Sequence, residues 1–122
     1  MQRFMFIVRE DLKKIGKLTD KERLSNVPIP HEWLRSLAES GNYVTGEALA
    51  VTGRYVSKNE VLSDGPFIEA KEGISGFDII LAENLEQAVS IAQTNPLVAS
   101  GAAIIEIRPF LFQDQDEFFK NS

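Results

Sequence analysis

The 122-residue chain has no cysteine, and this absence excludes several classes of chemistry. Disulfides, thiolate metal sites, iron–sulfur clusters and cysteine nucleophiles all need a thiol. Histidine is nearly absent too, because His31 is the only one. A metal site would therefore need three or more carboxylates, and no Asp or Glu spacing resembles a calcium-binding loop. We expect a protein without a bound metal.

Long apolar runs and clusters of basic side chains are also missing. The apolar run at 4–8 is too short for the core of a signal peptide, and no stretch approaches the roughly 20 residues of a membrane helix. Thirteen Lys and Arg residues against eighteen Asp and Glu residues give a net charge of -5, which disfavours binding to a phosphate backbone. The expected protein is cytoplasmic and binds neither membrane nor nucleic acid.

Sequence motifs for the common cofactors are absent. The chain has no G-x-S-x-G elbow, no P-loop and no dinucleotide fingerprint. Its composition is that of an ordinary globular domain, since hydrophobic residues make up 43% and charged residues 25%, enough for one core at this length. A single domain without a cofactor is therefore predicted.

The hydrophobic pattern predicts strands and helices in alternation. Apolar and β-branched residues favour strands at 2–9, 43–51, 54–62, 77–82 and 103–108, with a polar bend inside the third. Apolar residues at helical spacing favour helices that begin near Pro30 and Leu85. The order is strand, helix, two strands or a hairpin, strand, helix, strand. This corresponds to the βαββαβ unit, so the sequence predicts an α+β, ferredoxin-like sheet with both helices on one face.

Capping patterns mark the ends of the predicted helices. Thr19 to Glu22 has the spacing of a capping box that starts a short helix, and Asn84 with Gln87 repeats the pattern. Gly41 is expected to end the first main helix in the left-handed conformation, and Asn95 to end the second before a proline. The apolar side of the first main helix is formed by Trp33, Leu34, Leu37 and Ala38.

The first predicted strand is apolar on both sides. Phe4, Phe6 and Val8 alternate with Met5 and Ile7, so both faces of the sheet must be covered. Two helices cover only one face. A second copy of the chain is the simplest cover for the other, because an interface of about 800 Å² per partner buries enough apolar surface to offset the cost of association. A homodimer is therefore expected.

A segment ahead of the fourth predicted strand carries a family resemblance. Its motif residues are Asp64, Gly65, Pro66, Phe67, Lys71 and Glu72. With the glycine-aromatic strand start that follows, the segment resembles the DGPF subgroup of the YCII-related family, and the resemblance extends over residues 1–110. It implies a ferredoxin-like fold that dimerises into an α/β barrel, with a cleft between helices and sheet. The acidic, aromatic tail at 111–122 is expected to dock on its own subunit or on its partner.

The same resemblance implies a site. Related proteins have a proposed His-Asp dyad, with the His before the first main helix and the Asp just ahead of the proline that ends the second. His31 matches the His position, whereas Asn95 occupies the Asp position. An amide orients an imidazole by hydrogen bonding, but it does not stabilise an imidazolium as a carboxylate does.

These residues suggest a ligand site, and each also has a plainer interpretation. The expected ligand-binding residues are Asp64, Gly65, Pro66, Phe67, Lys71, Glu72 and Asn95, with His31 as a candidate general base. An Asp-Gly-Pro sequence is also typical of a turn, the charges after it of a solvated loop, and a first-turn His of a helix surface. Three functions stay open: a small-ligand-binding or regulatory domain, a cofactor-free lyase, hydrolase or oxygenase-like enzyme, and a protein-binding adaptor that uses the aromatic tail.

Overall fold

The computed structural model describes residues 1–19, 21–22, 28–63, 73–114 and 116. The elements, in chain order, are β1 (Gln2–Glu10), α1 (Leu12–Gly16), α2 (Pro28–Glu39), β2 (Tyr43–Ala48), β3 (Arg54–Val56), β4 (Val61–Ser63), β5 (Gly73–Ala82), α3 (Leu85–Gln93), α4 (Pro96–Ala99) and β6 (Ala103–Pro109). Four of these strands form the main sheet, and β3 and β4 form a separate two-stranded sheet.

The main sheet is antiparallel throughout, with the strand order β2-β5-β1-β6. Strand β1 is central, and its last residue, Glu10, lies opposite the first residues of both neighbours, Gly73 of β5 and Ala103 of β6. Strands β2 and β6 therefore lie at the edges. The α+β class that the alternating pattern predicts is confirmed.

The core lies between one face of this sheet and the helices α2 and α3. Phe4, Phe6 and Ile80 on the sheet are at most 1% exposed. The helices contribute Trp33, Leu37, Ala88 and Ala92. We call this face the inner face and the opposite one the outer face, where Met5 and Ile7 are half-buried. Strand β1 is thus apolar on both sides, as predicted, but within the described residues only its inner side carries fully buried side chains, those of Phe4 and Phe6.

Strand β5 is longer than the sequence pattern indicates, and its buried side is not the one with the regular apolar alternation. It begins at Gly73 rather than Phe77. The predicted apolar set of Phe77, Ile79 and Leu81 does share a face, but that face is the half-buried outer one. The buried inner side carries Asp78, Ile80 and Ala82. Because Asp78 is polar, the sequence does not show this side as a regular apolar alternation.

The segment predicted as one strand at 54–62 is a hairpin instead. Its polar bend reverses the chain, since the Ser57 N–H donates to the Glu60 carbonyl at 2.8 Å. The two arms then pair antiparallel, with Tyr55 opposite Leu62. Polar residues between two short apolar runs are typical of a turn as well as of a bend, and the pairing of the arms decides between them.

Most of the predicted helix ends are confirmed. Gly41 has a φ of 80° after α2, which starts two residues earlier than expected, at Pro28. Asn84 caps α3 by accepting the Gln87 N–H at 2.8 Å, although the Gln87 side chain returns to the Glu83 N–H rather than to the cap. The short helix α1 was not predicted; Asp11 caps it. The helix expected after Thr19 falls largely outside the described residues, but its reciprocal capping-box hydrogen bonds with Glu22 are present, each 3.0 Å long.

The start of the C-terminal tail lies against β1. The Arg3 guanidinium donates to the carbonyls of Phe112 and Gln113 at 3.1 and 2.9 Å, and it lies 4.6 Å from the centre of the Phe110 ring. These contacts hold the chain that leaves β6 beside the first residues of β1. Beyond Asp114 the predicted tail falls largely outside the described residues. Among the helices in the described part of the chain, none is long and apolar enough to cross a membrane.

Candidate functional site

The helix ends and strand ends that the sequence analysis points to lie at one end of the main sheet. We call it the Glu10 end, because Glu10 ends β1 there, opposite Gly73 and Ala103. Helix α2 leads away from it and finishes beside Leu81, whose N–H donates to the Asn42 carbonyl at 2.7 Å. Since Leu81 lies near the far end of β5, the first turn of α2 is at the Glu10 end.

The start of α2 and the end of α3 are joined by a side-chain hydrogen bond. The indole N–H of Trp33 donates to the Thr94 hydroxyl at 2.8 Å, and Trp33 is buried. His31 lies two residues before Trp33 and is exposed, whereas Asn95 follows Thr94 and is buried. The fold therefore places both residues at the Glu10 end, and their direct pairing stays a prediction.

Asn95 has a structural role that corrects the sequence interpretation. Helix α3 ends at Gln93 with Thr94 as its C-cap, and Asn95 begins α4 instead: its Oδ1 accepts the Leu97 N–H at 2.8 Å. Pro96 fits the first position of α4, because a helix leaves the N–H at that position unpaired. The oxygen of the Asn95 amide is thus already engaged in the fold.

The loop of the family motif lies outside the described residues. It carries six of the expected ligand-binding residues, which are Asp64, Gly65, Pro66, Phe67, Lys71 and Glu72. The strands on either side of it are described: β4 ends at Ser63, and β5 begins at Gly73. The chain therefore enters β5 at the Glu10 end, and the ligand-binding role of the six residues stays a prediction.

A buried carboxylate that the sequence analysis missed lies on the inner face. Asp78 is 9% exposed and lies between Phe6 of β1 and Gly46 of β2. Burial raises the pKa of its carboxyl group from 3.8 to about 6. Within the described ranges no hydrogen-bond donor or cation contacts this carboxylate. A polar residue at an inner-face position of an otherwise apolar strand is the signal that could have found it.

Gly46 makes room for this carboxylate. A Cβ atom at position 46 would collide with Oδ1 of Asp78 and would lie 2.6 Å from the Phe77 carbonyl oxygen. The Asp78 side chain therefore leans over Gly46, towards the edge strand β2. Tyr43 of the same strand is close enough to respond, because the pKa of its phenol is raised first by partial burial and then by the charges of Asp78 and Glu47.

A second polar contact lies nearer the end of the sheet. The hydroxyl of Ser75, which is 3% exposed, donates to the Glu10 carboxylate and lies 3.4 Å from the Val8 carbonyl oxygen. The pairing of β1 with β5 shifts between Val8 and Arg9, and Ser75 is the residue left over by that bulge. This contact fixes the start of β5 where the motif loop enters it.

The arrangement suits the binding of a polar molecule better than the binding of a metal. Across the described parts of the chain, no three His, Asp or Glu side chains are grouped closely enough to hold a metal ion. Asp78 instead offers one carboxylate among apolar neighbours, at the inner face of the sheet. Such a group is stabilised by a donor from a bound molecule.

Comparison with known proteins gives one match. A family model described as the YCII-related domain matches residues 3–111. A search of curated proteins finds no match. Apart from the first residue of β1, the matched range includes the strands and helices described above, together with His31, Asp78 and Asn95.

Proposed function

The chain belongs to the YCII-related family, and from that premise we propose that it is a binding or regulatory domain for a small polar or amphipathic molecule. The proposed cleft lies at the Glu10 end, between the inner face of the sheet and the helices. Its walls would be the first turn of α2 with His31, the end of α3 with Asn95, and the motif loop. The observation that carries the proposal is Asp78, a buried carboxylate on the inner face of the sheet.

A binding role is preferred here to the cofactor-free enzyme with His31 as general base. A His-Asp dyad needs a carboxylate to stabilise the imidazolium. Position 95 is a neutral amide, and its Oδ1 accepts the Leu97 N–H. An exposed His31 without a carboxylate at that position is better suited to hydrogen bonding with a ligand than to proton abstraction.

The family assignment can be refined to the DGPF subgroup and to a ferredoxin-like fold. Support for the subgroup is the motif from Asp64 to Phe67 in the sequence. Support for the fold is the antiparallel order β2-β5-β1-β6, with α2 between β1 and β2 and α3 between β5 and β6. Both refinements belong to the proposal.

A homodimer built on the outer face is also part of the proposal. Apolar side chains cluster there across the two central strands, in register: Met5 opposite Ile79, and Ile7 opposite Phe77. All four are half-buried rather than buried. A contiguous apolar sheet surface of this kind is typical of an interface, and a second copy presents a matching surface.

The dimer predicts the behaviour of an Ile79→Lys variant. Ile79 lies near the centre of the outer face, so the substitution would bury an ammonium group without a partner, and we expect the dimer dissociation constant to rise at least about tenfold. Light scattering at micromolar concentration measures it. Ser36→Lys, on the exposed side of α2, should leave the dimer intact. A monomeric wild-type protein at these concentrations would contradict the proposal.

The binding function is tested by a thermal-shift screen against a metabolite library. A compound present at 100 times its dissociation constant should add about 2.7 kcal/mol to the free energy of unfolding. His31→Ala should reduce the shift caused by a hit without changing the melting temperature of the free protein, because His31 is exposed. Glu39→Ala, exposed at the other end of α2, is the matched control. Equal shifts in wild type and His31→Ala would place His31 outside the site.

A further inference from the structure

The buried carboxylate of Asp78 lacks the partner that such a group normally has. A charged side chain removed from water is usually paired with a cation or supplied with several hydrogen bonds, because its desolvation otherwise costs several kcal/mol. Asp78 is 9% exposed, and in the described part of the chain neither kind of partner reaches it. Something outside the described residues is needed to satisfy the ionised form.

The described basic residues near the central strands contact groups other than Asp78. Arg9 of β1 forms a salt bridge with Glu106 at 3.0 Å, and Arg108 contacts the same carboxylate at 3.4 Å. Arg3 is held by the carbonyls of the C-terminal segment. Among the described residues, no cation therefore compensates the charge of an ionised Asp78.

The groups that flank Asp78 suit an organic cation. Tyr43 lies half-buried on β2, within range of the charge of Asp78. Aromatic rings attract an ammonium or amidinium group through their π faces, and a carboxylate then forms charge-assisted hydrogen bonds with it, which are about twice as strong as neutral ones. Gly46 has no side chain, and this leaves the room that the Asp78 carboxylate itself occupies.

We propose that Asp78 binds the positively charged nitrogen of the ligand, so that the molecule taken by this cleft is a small organic cation, either an amine or an amidine. This rests on the binding function proposed above and adds the chemical class of the ligand. The exposed His31 would then contact the polar part of the molecule that is further from the sheet.

The test uses four small aromatic probes that differ in charge: benzylamine, benzamidine, benzyl alcohol and benzoate. Binding to the full chain is measured by saturation-transfer NMR and calorimetry. The two cations should bind to the wild-type protein, and benzoate should not. Asp78→Asn should lower the affinity for both cations by at least about tenfold. Glu47→Gln removes a neighbouring charge that is exposed, and it should change their affinity less than about twofold.

The outcomes separate this inference from the proposed function. If benzyl alcohol or benzoate binds as tightly as benzylamine, or if Asp78→Asn leaves cation binding unchanged, the cation class is wrong while a binding cleft stands. The same holds if compounds from the metabolite library bind and neither cation does. If neither the probes nor the library compounds bind, both proposals fall. Circular dichroism shows that the near-isosteric Asp78→Asn variant is folded.

Discussion

Replacing Phe6 with alanine is expected to lower the free energy of unfolding by about 3 to 5 kcal/mol. The ring is 0% exposed and lies in the centre of the inner face, within the cluster that includes Phe4, Trp33 and Ile80. Its removal takes away the burial of a large apolar group. The contacts around the ring are lost as well, because a packed sheet and two helices collapse only partly into the cavity. Urea denaturation followed by the fluorescence of Trp33, the only tryptophan, measures the loss.

Ile7→Ala, next to Phe6 in the chain, is the matched comparison. Ile7 lies on the outer face and is half-buried, so in a monomer its truncation should cost about 1 kcal/mol, well below the usual range for buried aliphatic residues. In a dimer that covers the outer face, the cost should rise above about 2 kcal/mol and should depend on protein concentration. A Phe6→Ala variant as stable as wild type would show that the inner face is not the core.

The parts of the fold that the sequence predicts are those where local chemistry and tertiary packing agree. β1 combines β-branched and aromatic residues with two apolar sides, and it forms the central strand. Gly41 has no side chain to disfavour a positive φ, and it adopts one after α2. Asn84 has an oxygen that reaches the N–H of Gln87 three residues on, and it caps α3. Each of these features is decided by a few neighbouring residues.

The parts that the sequence does not predict depend on contacts between distant segments. The bend in 54–62 becomes a hairpin because Tyr55 and Leu62 pair across it. The buried side of β5 is the one with Asp78, since the strand order decides which side the helices cover, and apolar residues lie on both. Asn95 caps α4 rather than ending α3, because its oxygen reaches forward to Leu97.

The candidate site also has a part that the sequence predicts and a part that it does not. The positions of His31 and Asn95 in their helices follow from proline and capping patterns, and the fold puts those helix ends together through Trp33 and Thr94. The sequence marks Asp78 only as a polar residue within an apolar strand, because its burial and its approach to Gly46 arise when β2 pairs with β5. Its chemical importance is a property of the assembled sheet.

Asp78→Asn is expected to stabilise the free protein at pH 8 by about 2 kcal/mol, and by about 1 kcal/mol at pH 5. The folded state raises the pKa of Asp78 from 3.8 to about 6 through burial. Folded protein therefore binds the proton more tightly than unfolded protein does. The contribution of this proton to the free energy of unfolding is fully present below about pH 4 and is lost as the pH rises through about 6. The magnitude is reduced here from the full shift, because a carboxylate that is 9% exposed keeps some contact with water.

Urea denaturation of wild type and Asp78→Asn at pH 5, 6.5 and 8 measures this difference. The other carboxylates are common to both proteins, so their contributions cancel when the two are compared at each pH, and Tyr43 stays neutral over this range because its pKa is raised. Asp114→Asn, at an exposed site, should track wild type throughout. A difference between wild type and Asp78→Asn that does not change with pH would mean that Asp78 keeps the same proton affinity in both states. In that case a cation or donor beyond the described residues already neutralises it, and the free carboxylate on which cation binding depends does not exist.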